Sequence, residues 1–407
     1  MALEFNKLAD QVLKLRRMLE EIPFETSDRL QIALRRFHEA ADLDFIHRRI
    51  ELARSPEVSG YRGAAPLDAP FHEVICQTFP APPPPPSATL IAADGSQVYP
   101  NEQSPFHYYL INTGLFIYYQ GGDTVPEQIT HPRLVFHPDH VHDAGGRVVS
   151  SRTVDARRTV REMRDLADLA WERRGEARPL VALYDNHLLF RVNKEVTGHT
   201  RLLQDYQAAL VKLHDAGALL AGYVDNPLRS RVVMRMLHLL SLPEEAVASS
   251  DLGSSGDLEG LRDIQLFNLV LKPGERSALM VQNSPYNYQF RQRGVSYEIA
   301  FFYLKVSSGF QDQLVRVDIP MWVARDPRAV GELHTLLLEQ CRMQGRNPYP
   351  YALTRADELA YVSSRDKQKL DEIVRLELRR RGVEPRGLSA KARGKELARS
   401  PKRTYET

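Results

Sequence analysis

Residues Leu90–Pro100 read Leu-Ile-Ala-Ala-Asp-Gly-Ser-Gln-Val-Tyr-Pro, a short apolar run closed by an acid and then by Gly and Ser. Such a run predicts a buried strand. Gly95 suits a sharp turn where the strand stops, which would leave Asp94 on the rim of a sheet, where α/β sites are usually built. Asp-Gly pairs also form plain turns everywhere. The dipeptide alone therefore does not separate a working acid from a turn, and the rest of the chain has to decide.

Two further segments repeat the pattern. Leu180–Tyr184 is a second apolar run that ends in an acid, Asp185, followed by Asn186-His187. Ala218–Val224 ends in Asp225-Asn226-Pro227. Between the first two lies a helical stretch, 151–174, with Val154, Arg158, Arg161, Glu162, Asp165, Leu166, Leu169 and Ala170 at helical spacing. Glu162 shares a face with Leu166 and Leu169. A carboxylate on such a margin is ordinarily salt-bridged, and it becomes chemically interesting if that face meets the rim carrying Asp94.

The remaining elements follow from periodicity and punctuation. Residues 1–54 predict a helical hairpin, with Leu8, Val12, Leu15, Leu19 and Ile22 forming a seam for core packing or self-association. Residues 55–89 are proline-rich, and the run from Pro80 to Pro86 predicts a polyproline connector. Phe106–Gln120 is dense in β-formers and interrupted by Asn112-Thr113-Gly114, which predicts two strands and, with the first, an antiparallel meander. Residues 243–258 predict a mobile polar loop. The segment 314–324 predicts an edge strand, because Pro320 cannot donate to a ladder. Asp357 is predicted in the first turns of a helix after Tyr349-Pro350-Tyr351. Arg229, Arg231 and Arg235 fall along a helix start, where they could hold phosphates or form a solvated basic face. Residues 379–407 are basic and poor in apolar residues, which predicts a disordered tail with affinity for phosphates. The expected organisation is 1–54 helical, 55–89 connector, 90–378 catalytic domain and 379–407 tail.

Bulk composition narrows the class. The 407 residues are 43% hydrophobic and 26% charged, as in an ordinary globular chain. The net charge of +2 leaves any basic surface to local clustering. The two cysteines, Cys76 and Cys341, fit no metal or redox spacing and predict reduced thiols in a cytoplasmic protein. A signal peptide and a membrane-spanning run are not expected. Glycine-rich phosphate loops, Gly-x-Ser-x-Gly and zinc-type histidine spacing are absent from the sequence.

Asp94, Asp185 and Asp263 each begin or end an element, and Glu162 and Asp357 sit on helices. Carboxylates drawn from α and β elements of one sheet are what a two-metal phosphodiesterase needs. Mg²⁺ and Mn²⁺ prefer oxygen ligands, and a pair of them clamps the attacking and leaving oxygens of a phosphodiester.

The order of motifs resembles the NurA nuclease family, whose members work with HerA-type hexameric DNA-translocating ATPases. The resemblance is carried by Ile91-Ala92-Ala93-Asp94-Gly95-Ser96-Gln97, Val181–Asp185, Asp263 through Ser277, Phe301–Leu304, Arg316–Pro320 with Trp322–Ala324, and Tyr349–Leu353 followed by Ala356-Asp357-Glu358. It implies an α/β fold with an RNase H-like, Piwi-like mixed sheet flanked by helices, an N-terminal helical extension and a basic C-terminal tail. It also implies a ring-shaped homodimer and Mn²⁺- or Mg²⁺-dependent cleavage of single-stranded DNA, with 5′-to-3′ degradation of DNA ends in resection and repair. By the same resemblance Asp94, Glu162 (with Asp165 as rival) and Asp185 match metal-binding acids, Asp263 is a further acid, and Tyr349 and Asp357 fall on a final Tyr…His pair. The middle motif usually runs Asp-Gly-Ser, where this chain has Asp185-Asn186-His187. The final position is usually His, where it has Asp357. Asp357 can ligate through oxygen but cannot shuttle a proton near neutral pH as histidine does. The alternative is a degenerate, DNA-clamping or ATPase-regulating subunit.

Overall fold

A computed structural model describes residues 8–21, 26–55, 58, 60–102, 104 and 106–382. Three helices open the chain, α1 (Ala9–Glu21), α2 (Thr26–Glu39) and α3 (Leu43–Arg54). Short strands β1 (Ala64–Pro66) and β2 (Thr78–Pro80) precede three long ones, β3 (Ala88–Val98), β4 (Tyr109–Gln120) and β5 (Glu127–Val135). One helical turn, α4 (Pro138–Val141), leads to α5 (Ser151–Glu172), then β6 (Leu180–Tyr184), α6 (His199–Asp215), β7 (Leu219–Val224), α7 (Val232–Ser241) and α8 (Asp263–Val270). β8 (Glu275–Ser277), β9 (Met280–Gln282), α9 (Pro285–Arg293), β10 (Ile299–Ser307) and β11 (Asp312–Pro320) follow. α10 (Met321–Ala324), α11 (Pro327–Arg342), α12 (Tyr351–Ala360) and α13 (Ser364–Arg380) complete the order.

The chain forms two compact units. The first takes Met1–Pro85, Asn186–Leu189 and Leu220–Pro350; the second takes Pro86–Asp185, Phe190–Leu219 and Tyr351–Thr407.

In the second unit β6 and β3 run parallel, and β3, β4 and β5 are antiparallel. β6 and the first six residues of β3 are buried on both faces, which is why they read as continuous apolar runs rather than alternating ones. α5 starts where the Ser150 side chain accepts from Thr153 N at 3.3 Å. It buries Val154, Val160, Met163, Leu166 and Ala170. In the first unit β1-β9-β10-β11-β7 pair antiparallel, and β8 joins β10 to β2. Its core includes Phe37 set edge-on to Phe267 at 5.5 Å. The architecture is the expected mixed α/β sheet flanked by helices.

Several local expectations change. β3 does not stop at Asp94: it continues through Gly95 and Ser96 to Val98, because β4 pairs it along its whole length. Asp94 is therefore a mid-strand residue, and Gly95 makes no turn. Residues 109–120 form one strand instead of two. Asn112, Thr113 and Gly114 lie inside the ladder, where Asn112 Nδ2 donates to Ala360 O at 2.9 Å. The meander is real, but its third strand is β5. β11 is internal to its sheet, paired with both β10 and β7, and Pro320 is tolerated as its last residue. α12 begins at Tyr351, so Asp357 falls in its second half rather than its first turns.

The proline-rich segment contains β1 and β2, and Pro82 O accepts from Thr335 Oγ1 at 2.7 Å. Residues 243–258 fold into two 3₁₀ turns that bury Val247 and Leu258. Val12 and Leu15 of the N-terminal seam are 59% and 49% exposed, so they do not pack into the core of this chain. Ile22 and the tail residues 383–407 lie outside the described residues. Cys76 and Cys341 are free thiols. Among the described residues no helix is long and apolar enough to cross a membrane.

Candidate active site

The parallel register of β3 and β6 pairs Ala93 with Tyr184. The next residue in β3 is Asp94, and the residue that follows the end of β6 is Asp185. α5 packs along β3 and brings Glu162 over Gly95, whose missing side chain leaves room for it: a Cβ there would stand 2.9 Å from Glu162 Cγ. α12 packs on β3 and β4 and carries Asp357.

These four acids act on one another. Burial raises the Asp94 carboxyl from the ordinary carboxylate range to about 7, and the charges of Glu162, Asp185 and Asp357 add to the rise against a lowering backbone hydrogen bond from Gly95. Glu162 is 2% exposed. Burial raises it too, Arg158 and the Tyr184 hydroxyl oppose, and Asp185 adds to the rise. Tyr184 donates to Glu162 Oε2 at 3.1 Å.

The other oxygen, Glu162 Oε1, is buried and makes no hydrogen bond. It has only a charge contact with Arg158 Nε at 3.2 Å. Arg158 Nη1 in turn donates to Gly95 O and Gln97 Oε1, both at 3.0 Å. Among the described residues no group of three or more His, Cys, Asp or Glu side chains stands close enough together to hold a metal ion as it is. The donors are all hard oxygens, one of them buried and without a hydrogen bond, and this suits Mg²⁺ or Mn²⁺.

The remaining sequence candidates sort differently. Asp165, the rival of Glu162, is held by Arg161 Nε at 2.8 Å and is not among the main causes of the rise at Asp94. Asp263 belongs to the first unit and is fully buried. It accepts from Ser230 Oγ and Tyr303 OH at 2.7 Å and from the amides of Val233 and Met234 at 3.1 Å. Its lone pairs fix the start of α7, a structural role. Tyr349, also in the first unit, sets its ring edge-on to Tyr223 at 5.3 Å. In that unit Arg229 is exposed, Arg231 is ion-paired with Glu259, and Arg235 adds its charge at Glu259.

His187 is not a free surface histidine. Its Nδ1 donates to Asp318 Oδ2 at 2.9 Å, and Arg316 Nε grips Asp318 Oδ1 at 2.7 Å. Burial pushes Asp318 up, but Arg316 and His187 outweigh it and hold the carboxyl below the usual range. Asp318 lies in the Arg316–Pro320 motif, but neither its pairing with His187 nor the part played by Arg158 has a local signal in the sequence. The only sequence signal for Arg158 is its position one turn before Glu162.

The family model for the NurA domain matches residues 88–362. The crystal structure of the NurA nuclease from Sulfolobus solfataricus is similar over 92% of this chain and 97% of that one, with a TM-score of 0.50 and 13% identity, a likeness of fold. No curated protein sequence matches.

Proposed function

The chain belongs to the NurA family, with the RNase H-like fold of that family, and on this premise we propose that it is a metal-dependent deoxyribonuclease. The observation that carries the reading is the Asp94 carboxyl, lifted to about 7 by burial and by acids reaching it from α5, the end of β6 and α12. Segments far apart in sequence converge on one charge problem, and a structural role alone gives no reason for concentrating four carboxylates there.

Asp94, Glu162, Asp185 and Asp357 would hold the Mn²⁺ or Mg²⁺, two ions in the reading that the family resemblance favours. When bound, such ions activate water and neutralise charge on the phosphate. Tyr184 fixes Glu162 through Oε2 and leaves Oε1 for ligation. Tyr349 positions the strand. Phosphate attraction falls chiefly to Arg229, because Glu259 already faces Arg231 and Arg235. Asp263, saturated by its own hydrogen bonds, stands outside the ligand set. The substrates are single-stranded DNA and 5′ ends of duplex DNA, and the protein acts as a homodimer with a HerA-like hexameric ATPase in end resection.

The test is nicking of circular single-stranded DNA with Mn²⁺. The reading expects cleavage by the native protein, loss of it in Asp94→Ala, and binding that weakens steeply with salt. Equal cleavage by both proteins overturns the assignment. DNA binding without cleavage under any divalent ion would instead identify a clamping subunit.

A further inference from the structure

Arg158 of α5 reaches the four-acid site: its Nε stands 3.2 Å from Glu162 Oε1. Arg161, three residues on, also makes an i,i+4 ion pair, but a hydrogen-bonded one with Asp165, which is not among the main causes of the rise at Asp94. The Arg158 guanidinium is anchored on one side by Gly95 O and Gln97 Oε1. Gln97 Nε2 is itself tied to Asp155 at 3.2 Å and to the Tyr99 hydroxyl at 2.7 Å. On its other side Arg158 Nε stands 3.2 Å from Glu162 Oε1, yet neither atom makes a hydrogen bond. The contact is thus one of charge without directional bonding. It satisfies Glu162 only in part, at the oxygen that lies over Gly95, the residue after Asp94.

We propose that Arg158 is a resident counter-ion of the acidic site: it positions Glu162 in the metal-free protein and competes with the divalent cation for Glu162 Oε1, so that it sets the metal affinity. The inference rests on the metal-dependent reading above. Two effects of removing it oppose each other. Loss of the guanidinium frees the Glu162 side chain, which weakens metal binding. It also removes a positive charge from the immediate surroundings of a doubly charged ion, which strengthens binding. Glu162 keeps its Tyr184 hydrogen bond and its burial, so the ordering loss is small and the charge effect wins.

Isothermal titration of the full-length protein with MnCl₂, with no DNA present, tests this. Arg158→Met is expected to bind Mn²⁺ about tenfold more tightly than the native chain. Its metal-free melting temperature is expected to fall, and its Mn²⁺-saturated one to recover. Arg158→Lys, which keeps the charge, is expected to restore the native affinity, and Arg161→Met to leave it unchanged. Equal or weaker Mn²⁺ binding by Arg158→Met overturns the inference, as does an equal gain in Arg161→Met, and neither result touches the nuclease reading. Absence of Mn²⁺ binding by the native chain, with Asp94→Ala no different, overturns both.

Discussion

Gly114 faces Asp94 across the β3–β4 ladder, and the side chain it lacks is what lets α12 lie against the sheet. A Cβ at Gly114 would stand 2.5 Å from Ala360 N and 2.8 Å from Leu359 Cβ. The acid of the strand and the acid of the helix are thus brought together by a glycine that does no chemistry. Gly114→Ala should push the α12 backbone away and cost about 1–3 kcal/mol of stability, as overpacking does. Urea unfolding measures that loss, and DNA cleavage should fall with it as Asp357 withdraws.

Gly95→Ala meets a different obstacle. The new methyl group collides with the end of the Glu162 side chain rather than with backbone. A flexible side chain can swing aside, so unfolding midpoints should change little while Mn²⁺ affinity drops about 10-fold or more, the scale seen when even supporting residues of a metal site are lost. A variant with native Mn²⁺ affinity would mean that Glu162 is not a ligand.

The raised Asp94 carboxyl predicts a pH dependence of definite sign. Between about pH 4 and pH 7 the folded, metal-free protein keeps a proton at Asp94 that the unfolded chain has released. The native state then binds more protons, so stability is full below the unfolded value and declines as pH rises toward 7. Urea midpoints of the native protein minus those of Asp94→Asn should show this slope. Saturating Mn²⁺ should abolish it, because the ion displaces the proton. Calorimetry in buffers of different ionisation enthalpy should accordingly find close to one proton released per binding event at pH 6 and little at pH 8.

Asp318 and Arg316 form a pair buried to 0% and 4% exposure. Asp318→Asn leaves the guanidinium without its countercharge and should cost about 3–5 kcal/mol in chemical denaturation. Replacing both partners, Arg316→Met with Asp318→Leu, should cost less than the single change, since no unpaired charge remains.

The sequence announced the buried runs at 90–93 and 180–184, the long helix at 151–172 and the helix carrying Asp357, because hydrophobic period and glycine or proline punctuation are local signals. It misjudged Asp94-Gly95 as a strand end and Asn112-Thr113-Gly114 as a break. Both stretches look like turns by composition, yet the ladder between β3 and β4 holds them extended, Asp94 against Gly114 and Gly95 against Thr113. Asp263 had the look of a ligand because an acid at a helix start is ambiguous until its hydrogen bonds are counted. Arg158 was invisible for the same reason, since an arginine one turn from a glutamate is ordinary on any exposed helix.

Asp94 is rooted in a strand that is paired on both sides, so its main chain has almost no room to shift. In the metal-dependent reading, adjustment to the radius of an incoming ion would fall to the longer arm of Glu162, to Asp185 past the end of β6 and to the exposed Asp357. On that reading the choice between Mg²⁺, which demands short and near-octahedral bonds, and the larger Mn²⁺ would be set by the elements around β3 and not by β3 itself.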